Sequence, residues 1–228
     1  MDDQTTSEAK LSGPGPVNER IVRDLRTRLM RGELAPGEIL THRKLAEQLD
    51  VSPMPVRDAL RQLVAERALE VANGNRSVAV PRLNHAKLHD LKTIREGVEG
   101  LAARLAAERW KPHELAQIEA ILAETSDGAG SPDASRNQRF HFAIYAASQS
   151  QVLLPLIGSL WLQFGPYLPR AGQLAGGKIG AGDKYHREIV EALRARDADA
   201  AEAAIVADIG QAMDLLLTHG LGDTGSGG

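Results

Sequence analysis

The sequence predicts a mainly α protein, in which an N-terminal winged helix-turn-helix is followed by a C-terminal all-α helical bundle. Three observations predict it. Residues 41–64, THRKLAEQLDVSPMPVRDALRQLV, carry two apolar stripes at helical spacing with only Asp50 and Val51 between them. Residues 68–72 and 77–80 are short alternating runs separated by NGNR, a hairpin signal. Beyond Pro81, apolar residues recur every three to four positions almost to the C-terminus.

The two stripes have matching boundaries. Thr41 is placed to cap the first helix, with Leu40 and Leu45 at the positions of a hydrophobic staple. Val51 and Val56 repeat that arrangement around Ser52, and Pro53 and Pro55 fall in a first turn, where a missing N–H costs nothing. In the second helix Val56, Leu60, Leu63 and Val64 face inward, while Arg57 and Arg61 lie towards the exposed side. Two helices joined this tightly predict helix-turn-helix geometry, with the second helix shaped for a DNA major groove.

Composition narrows the function classes. The 228 residues have room for one large or two modest domains, and 43% hydrophobic content with 4% aromatic suits a Leu- and Ala-rich helical core. The absence of cysteine excludes disulfides and thiolate metal sites. No apolar run approaches the roughly 20 residues that span a bilayer. Residues 1–16 are polar and acidic where a signal peptide is basic and then apolar, so they are expected to form a disordered leader of a cytoplasmic protein. The net charge of −3 is unevenly distributed. Residues 17–82 hold 12 Lys+Arg against 9 Asp+Glu, and the remainder 15 against 21, so positive charge gathers around the helix-turn-helix, as phosphate binding requires.

Taken in order, Asn18 is expected to cap a helix to about residue 31, built on Ile21, Leu25 and Leu29. Gly32 ends it, Pro36-Gly37 makes a turn, and Ile39-Leu40 returns the chain to the core. The hairpin after the second helix of the unit forms the wing, whose tip, Asn73, Gly74, Asn75 and Arg76, reaches DNA backbone or minor groove. Gly74 suits a tip needing positive φ or close approach to phosphate. The bundle is expected to hold about six helices: from 84 to about 110, from 112 onward, 135–149, 152–168 with Pro155, Pro166 and Pro169 kinking or ending it, 183–196, and 198–217. Residues 126–135 and the Gly-rich 171–183 read as loops. The expected organisation is a leader (1–16), a winged helix (17–82), a helical domain (83–218) and a disordered tail (219–228).

Several polar residues fall on apolar helix faces. His141 shares its stripe with Ile144 and Tyr145, and Asn137 lies one turn earlier. His186 precedes Ile189, Val190 and Leu193, and Asp208 is flanked by Ile205 and Ala212. Such groups are costly to bury unless they meet one another, a ligand or a metal. Arg95, beside Ile94 and Val98, is a candidate partner for an anionic effector; the alternatives are a surface salt bridge or neutralisation by Glu99.

The segments IVRDLRTRLMRGELAPGEIL, LAEQLDVSPMPVRDALRQLVAERAL, NQRFHFAIYAAS and YHREIVEALRARDADAAEAAI resemble the GntR family of bacterial transcription regulators, in its FadR-like subfamily with an FCD effector domain. The resemblance covers about residues 18–217, and six bundle helices place it near the VanR-type members. It implies a homodimer that binds a palindromic operator in double-stranded DNA, most often as a repressor, and responds to a small organic acid. It also implies DNA contacts from Arg43, Arg57 and Gly74, to which the reading of the residues adds Ser52, Met54, Pro55 and Arg76. Many relatives carry Arg at the start of the recognition helix, where this chain has Pro53-Met54. A guanine contact therefore falls to Arg57, and Met54 is left apolar contact with a thymine methyl. Metal-binding members carry Asp, His, His and His where this chain has Asn137, His141, His186 and Asp208. That set implies Zn²⁺ or Ni²⁺ with an effector carboxylate or water completing the shell, Arg95, Asn137, His141 and His186 serving the effector. The alternatives are a metal-free polar pocket, a metal-dependent hydrolase built on the same trio, and a nucleoid-type DNA binder.

Overall fold

The structure, a computed structural model, describes residues 14–74, 77–124, 134–176 and 184–221. Most of the expected leader (1–13), the wing-tip residues Asn75 and Arg76, most of the loop at 126–135, residues 177–183 of the Gly-rich stretch, and the tail from 222 lie outside the described residues.

The N-terminal part is built from α1 (Val17–Met30), β1 (Ile39–Thr41), α2 (His42–Leu49), α3 (Pro53–Ala65), β2 (Glu70–Ala72) and β3 (Ser77–Ala79). Ile21, Leu25 and Leu29 of α1 are fully buried with Val56, Leu60 and Leu63 of α3, as the stripes predict. Thr41 Oγ1 accepts from the Lys44 N–H at 3.3 Å, so the predicted cap forms. Asp50 then takes a left-handed conformation (φ 50°) and the Val51 N–H donates to Ala46 O, which turns the chain sharply into α3. Ser52 occupies the N-cap position of α3 with extended backbone, but its side chain makes no cap bond. α1 begins one residue before Asn18, behind Pro16.

The wing has a strand that the sequence did not announce. β3 lies between β2 and β1 in an antiparallel sheet, with Ile39 opposite Ala79 and Thr41 opposite Ser77. Thr41 therefore ends a strand and caps a helix at once, which fixes α2 and α3 relative to the wing.

The bundle comprises α4 (His85–Arg109), α5 (Pro112–Ala123), α6 (Ala134–Ala147), α7 (Leu153–Phe164), α8 (Leu168–Leu174), α9 (Lys184–Ala195) and α10 (Ala198–His219). Asn84 and Asp197 cap α4 and α10, accepting from the N–H groups of Lys87 and Ala200. α4 and α10 pack along their length and form the spine. The described residues thus hold seven bundle α-helices, not six, and the count that suggested a VanR-type member does not stand. The expected helix over 152–168 breaks at a 3₁₀ turn, Gly165–Tyr167, and resumes as α8. Pro166 has no N–H for a continuous helix, and Gly165 is pressed against the end of α1. A Cβ there would collide with Leu29 O and lie 2.6 Å from Met30 Cα. Tyr167 completes the junction: its hydroxyl accepts from the Leu83 N–H at 2.6 Å, tying the inter-domain connection to the break. Among the described residues no helix is long and apolar enough to cross a membrane.

Candidate functional site

Two regions carry functional side chains. The first is the outer face of α2, α3 and the wing. Met54 is 58% exposed, Ser52 and Arg57 are exposed, and Pro55 is half-buried. Arg57 makes no ion pair with a carboxylate among the described residues; its Nη2 rests 3.3 Å from Met54 Sδ, so the two predicted contact residues touch each other. Arg43 projects from α2 with a 91% exposed side chain and donates to Glu47 Oε1 at 2.8 Å. Gly74 has φ 61°, and nothing lies within 4 Å of where a Cβ would stand. Asn73 Nδ2 donates to Ser77 Oγ at 2.9 Å and closes the hairpin below it. Arg76 lies outside the described residues. Between α3 and the wing is a groove of about 240 Å³ lined by His42, Arg57, Arg61, Val64, Val71 and Ser77. Its two arginines and His42 suit an anionic backbone. His42 was not singled out from the sequence, because it joins this surface only through the pairing of β1 with β3.

The second region lies inside the bundle. His141 of α6, His186 of α9 and Asp208 of α10 converge, with their ligating atoms all within 4.8 Å of one another. His141 Nε2 is 3.3 Å from Asp208 Oδ2, and His186 Nε2 is 3.4 Å from Asp208 Oδ1. Asn137 is buried one turn before His141 on α6. Phe140 stacks on His186 at 4.5 Å between centroids, and the Trp161 ring lies 5.4 Å from His141. Burial raises the Asp208 carboxyl, but the two imidazoles facing it outweigh that and hold it well below the usual carboxylate range. Asp208 is therefore a carboxylate among nitrogen donors.

The trio fits a divalent ion. Tetrahedral Zn²⁺ bonds of about 2.0–2.2 Å to N and O set neighbouring ligand atoms about 3.3 Å apart, the spacing seen from Asp208 to each imidazole. Two imidazoles and one carboxylate, with the Asn137 amide nearby, form a donor set suited to Zn²⁺ or Ni²⁺.

Arg95 stands behind this trio and is not at the surface. It is 3% exposed and Glu99 is fully buried. Arg95 Nε donates to Glu99 Oε1 at 2.6 Å and Nη2 to Oε2 at 3.2 Å. Its guanidinium also lies over Phe164, 4.4 Å from the ring centroid. Burial alone would lower the Arg95 pKa, but Glu99 raises it above the ordinary value. Of the alternatives offered by the sequence, the surface salt bridge is excluded, and neutralisation by Glu99 is what the structure contains. Glu99 also accepts from Tyr145 Oη at 2.5 Å and Trp161 Nε1 at 3.0 Å. The i,i+4 spacings of Arg95 with Glu99 and of His141 with Tyr145 were readable signals for part of this network. Trp161, brought in from α7, had none.

The comparisons with known proteins match both domains that carry these regions. Residues 17–78 match the model described as bacterial regulatory proteins, gntR family, and residues 90–211 match the FCD domain. The chain is 35% identical over 153 residues to the HTH-type transcriptional regulator McbR of Escherichia coli strain K12, covering 65% of this chain and 69% of that protein. It is 31% identical over 184 residues to a probable D-xylose utilization operon transcriptional repressor of Paenarthrobacter nicotinovorans, covering 78% of each. The solved structure of E. coli McbR/YncC superimposes with a TM-score of 0.82 at 27% identity, over 90% of this chain and 99% of that one. A putative GntR regulator from Rhodococcus sp. RHA1 shares the fold, with a TM-score of 0.63 at 21% identity. These matches are to regulators, which overturns the hydrolase alternative. With both halves matched separately, and in the order in which the winged helix and the bundle occur, the chain belongs to the gntR family of bacterial regulatory proteins, carries an FCD domain, and is a DNA-binding transcription regulator, not an enzyme.

Proposed function

We propose that the protein is a cytoplasmic, homodimeric repressor that binds a palindromic operator and changes its grip on DNA when a divalent metal and a small organic acid occupy the bundle. One observation carries this reading: helices that line the sealed polar site also touch the DNA-binding unit, α7 foremost. α7 touches the site through Trp161, which reaches Glu99 and His141, and one turn later its end at Phe164 and Gly165 abuts Leu29 and Met30 of α1. Gln138 of α6, one residue from Asn137, strengthens the same junction by accepting from Arg31 Nε at 3.2 Å. A ligand that moves α6 or α7 therefore acts on the seat of the winged helix, and differential affinity for two placements shifts their populations.

In this reading residues 17–82 form the DNA-binding domain and 83–218 the effector and dimerisation domain. Arg57 reads a guanine, Met54 packs against a thymine methyl, Ser52 and Pro55 set the approach of α3, and Arg43, Gly74 and Arg76 meet the backbone. His141, His186 and Asp208 hold the metal, bound Zn²⁺ or Ni²⁺ supplies the positive charge that attracts an effector carboxylate, and Asn137 orients that effector. Arg95 serves the site through Glu99. The homodimer is supported by an apolar stripe on the outside of α4, where Ile94 is 49% and Leu101 42% exposed.

The test is a selection from random duplexes, followed by operator titration with and without Zn²⁺, Ni²⁺ and a panel of small organic acids. The expected motif is palindromic and binds two chains. A metal plus one acid should change affinity by roughly 5–150-fold. Binding at physiological salt with no preference over competitor DNA would sink the reading. The metal-free pocket is a second reading, favoured by one observation: a carboxylate 3.3 and 3.4 Å from two imidazoles is also a hydrogen-bonding distance. Metal content of the purified protein separates the two.

A further inference from the structure

Counting protons around Glu99 leads to the state of His141. Glu99 is fully buried on α4 and accepts from Arg95 at both oxygens. Guanidinium and indole N–H groups can only donate. Faced by Arg95 and by Trp161 Nε1, Glu99 is an ionised acceptor with no proton to give. Tyr145 Oη, 2.5 Å from Glu99 Oε2, must therefore spend its single proton on that carboxylate.

The same phenol oxygen lies 3.2 Å from His141 Nδ1. With its proton committed to Glu99 it offers only lone pairs on that side. A hydrogen bond here requires the proton to sit on Nδ1 and run from the ring to Tyr145. In the neutral ring the Nε2 lone pair is then bare, and Nε2 is the atom that faces Asp208 Oδ2 at 3.3 Å. Two acceptors at that distance repel unless a second ring proton or a metal cation lies between them.

We infer that Tyr145 and Glu99 are positioning residues that hold His141 as its Nδ1–H tautomer, so that Nε2 is presented as a free lone pair to a divalent cation shared with Asp208 and His186. The inference rests on the reading above that this trio takes a metal. It assigns to a buried Tyr–Glu pair, braced by Arg95 and Trp161, the role that carboxylates and carbonyls play behind other metal-binding histidines. Chemically it gives the buried ion pair a part in the site: Arg95 keeps Glu99 an acceptor, and Glu99 keeps the phenol proton away from His141.

The experiment uses the full chain with ring-¹⁵N-labelled histidine. Ring nitrogen shifts are recorded metal-free at pH 8.5, and Zn²⁺ and Ni²⁺ affinities are measured by competition with a chelating dye. The wild type is expected to show Nδ1–H for His141, and ligation through Nε2 when Zn²⁺ is added. Tyr145→Phe removes the acceptor of His141 together with one donor to Glu99; His141 is expected to revert to Nε2–H, with Zn²⁺ affinity falling by about 10–100-fold. Trp161→Phe removes a donor to the same Glu99 oxygen while leaving Tyr145 in place. It should keep the Nδ1–H pattern, which separates the relay from general loosening of the core. The inference is overturned if the metal-free wild type carries its proton on Nε2, or if Tyr145→Phe leaves both the tautomer and the affinity as in the parent. A wild type with the Nδ1–H tautomer that binds neither metal would overturn the metal reading alone.

Discussion

The DNA-facing surface and the bundle site hold their charges in opposite ways. On α2 and α3 the arginines project into solvent: Arg43 leans on one exposed glutamate, and Arg57 reaches a methionine sulfur with no carboxylate ion-pair partner among the described residues. In the bundle, Arg95 and Glu99 are sealed from water, and Glu99 is met by four donors from three side chains. The difference follows from what each region has to do. A surface that must exchange water and counterions for phosphate gains nothing by pre-pairing its cations. A site meant to present ligand atoms at fixed distances needs every polar group around it committed.

The largest effect expected from this contrast is Glu99→Ala. It strands the Arg95 guanidinium in the core and removes the acceptor of Tyr145 and Trp161. Breaking a buried pair from one side costs about 3–5 kcal/mol, so the urea midpoint should fall steeply. An unchanged midpoint would mean that the sealed network contributes no more than a surface pair. Next is Gly165→Ala, at the seam between the two regions. The added methyl meets backbone atoms, Leu29 O and Met30 Cα, which cannot rotate aside. Overpacking of this kind costs about 1–3 kcal/mol. Because the strain falls on α1 and the end of α7, it should also weaken the response of DNA binding to metal and acid, measured as the ratio of operator affinities with and without them.

The two regions also differ in how far the sequence discloses them. The helix-turn-helix is local: Thr41, Leu40 and Leu45 act within one turn, and the left-handed Asp50 joins helices adjacent in the chain. Periodicity and capping rules reach most of it, the side-chain cap at Ser52 being the exception. β1 escaped because its three residues pair with β3 nearly forty positions away, and no pattern within β1 signals that partner. In the bundle, the inward positions of His141, His186 and Asp208 were readable from their apolar neighbours, and their grouping came from the resemblance. Their supports were not readable. Glu99 is one of many glutamates in the sequence, and only its contacts with Tyr145 on α6 and Trp161 on α7 distinguish it. Pro166 announced a break in the fourth bundle helix, but its cause, a glycine against the end of α1, belongs to tertiary structure.

On the DNA-facing side, Arg57→Ala is expected to leave stability within about 0.5 kcal/mol of the parent, as an exposed residue should, while costing about 1–3 kcal/mol of discrimination at one base pair of the operator. Titrations against the selected operator and single-base variants measure this. Binding as tight and as selective as the parent would remove Arg57 from the reading head and leave specificity to Met54 and the wing.

The smallest effect belongs to Arg43. Its donor is held by Glu47 at 2.8 Å, and that hydrogen bond raises the already high pKa of the guanidinium, so charge is never in question; availability is. A phosphate must compete with Glu47 for the same N–H groups. If Arg43 grips backbone, Arg43→Ala weakens every duplex alike and lowers the slope of log affinity against log salt by about 1. Glu47→Gln should do the reverse, since it frees the guanidinium and removes a negative charge from the DNA-facing side, tightening selected and random duplexes equally. Should Glu47→Gln instead alter the preferred base at one position, Arg43 reads sequence, and α2 shares with α3 a role that the exposed face of the recognition helix would otherwise hold alone.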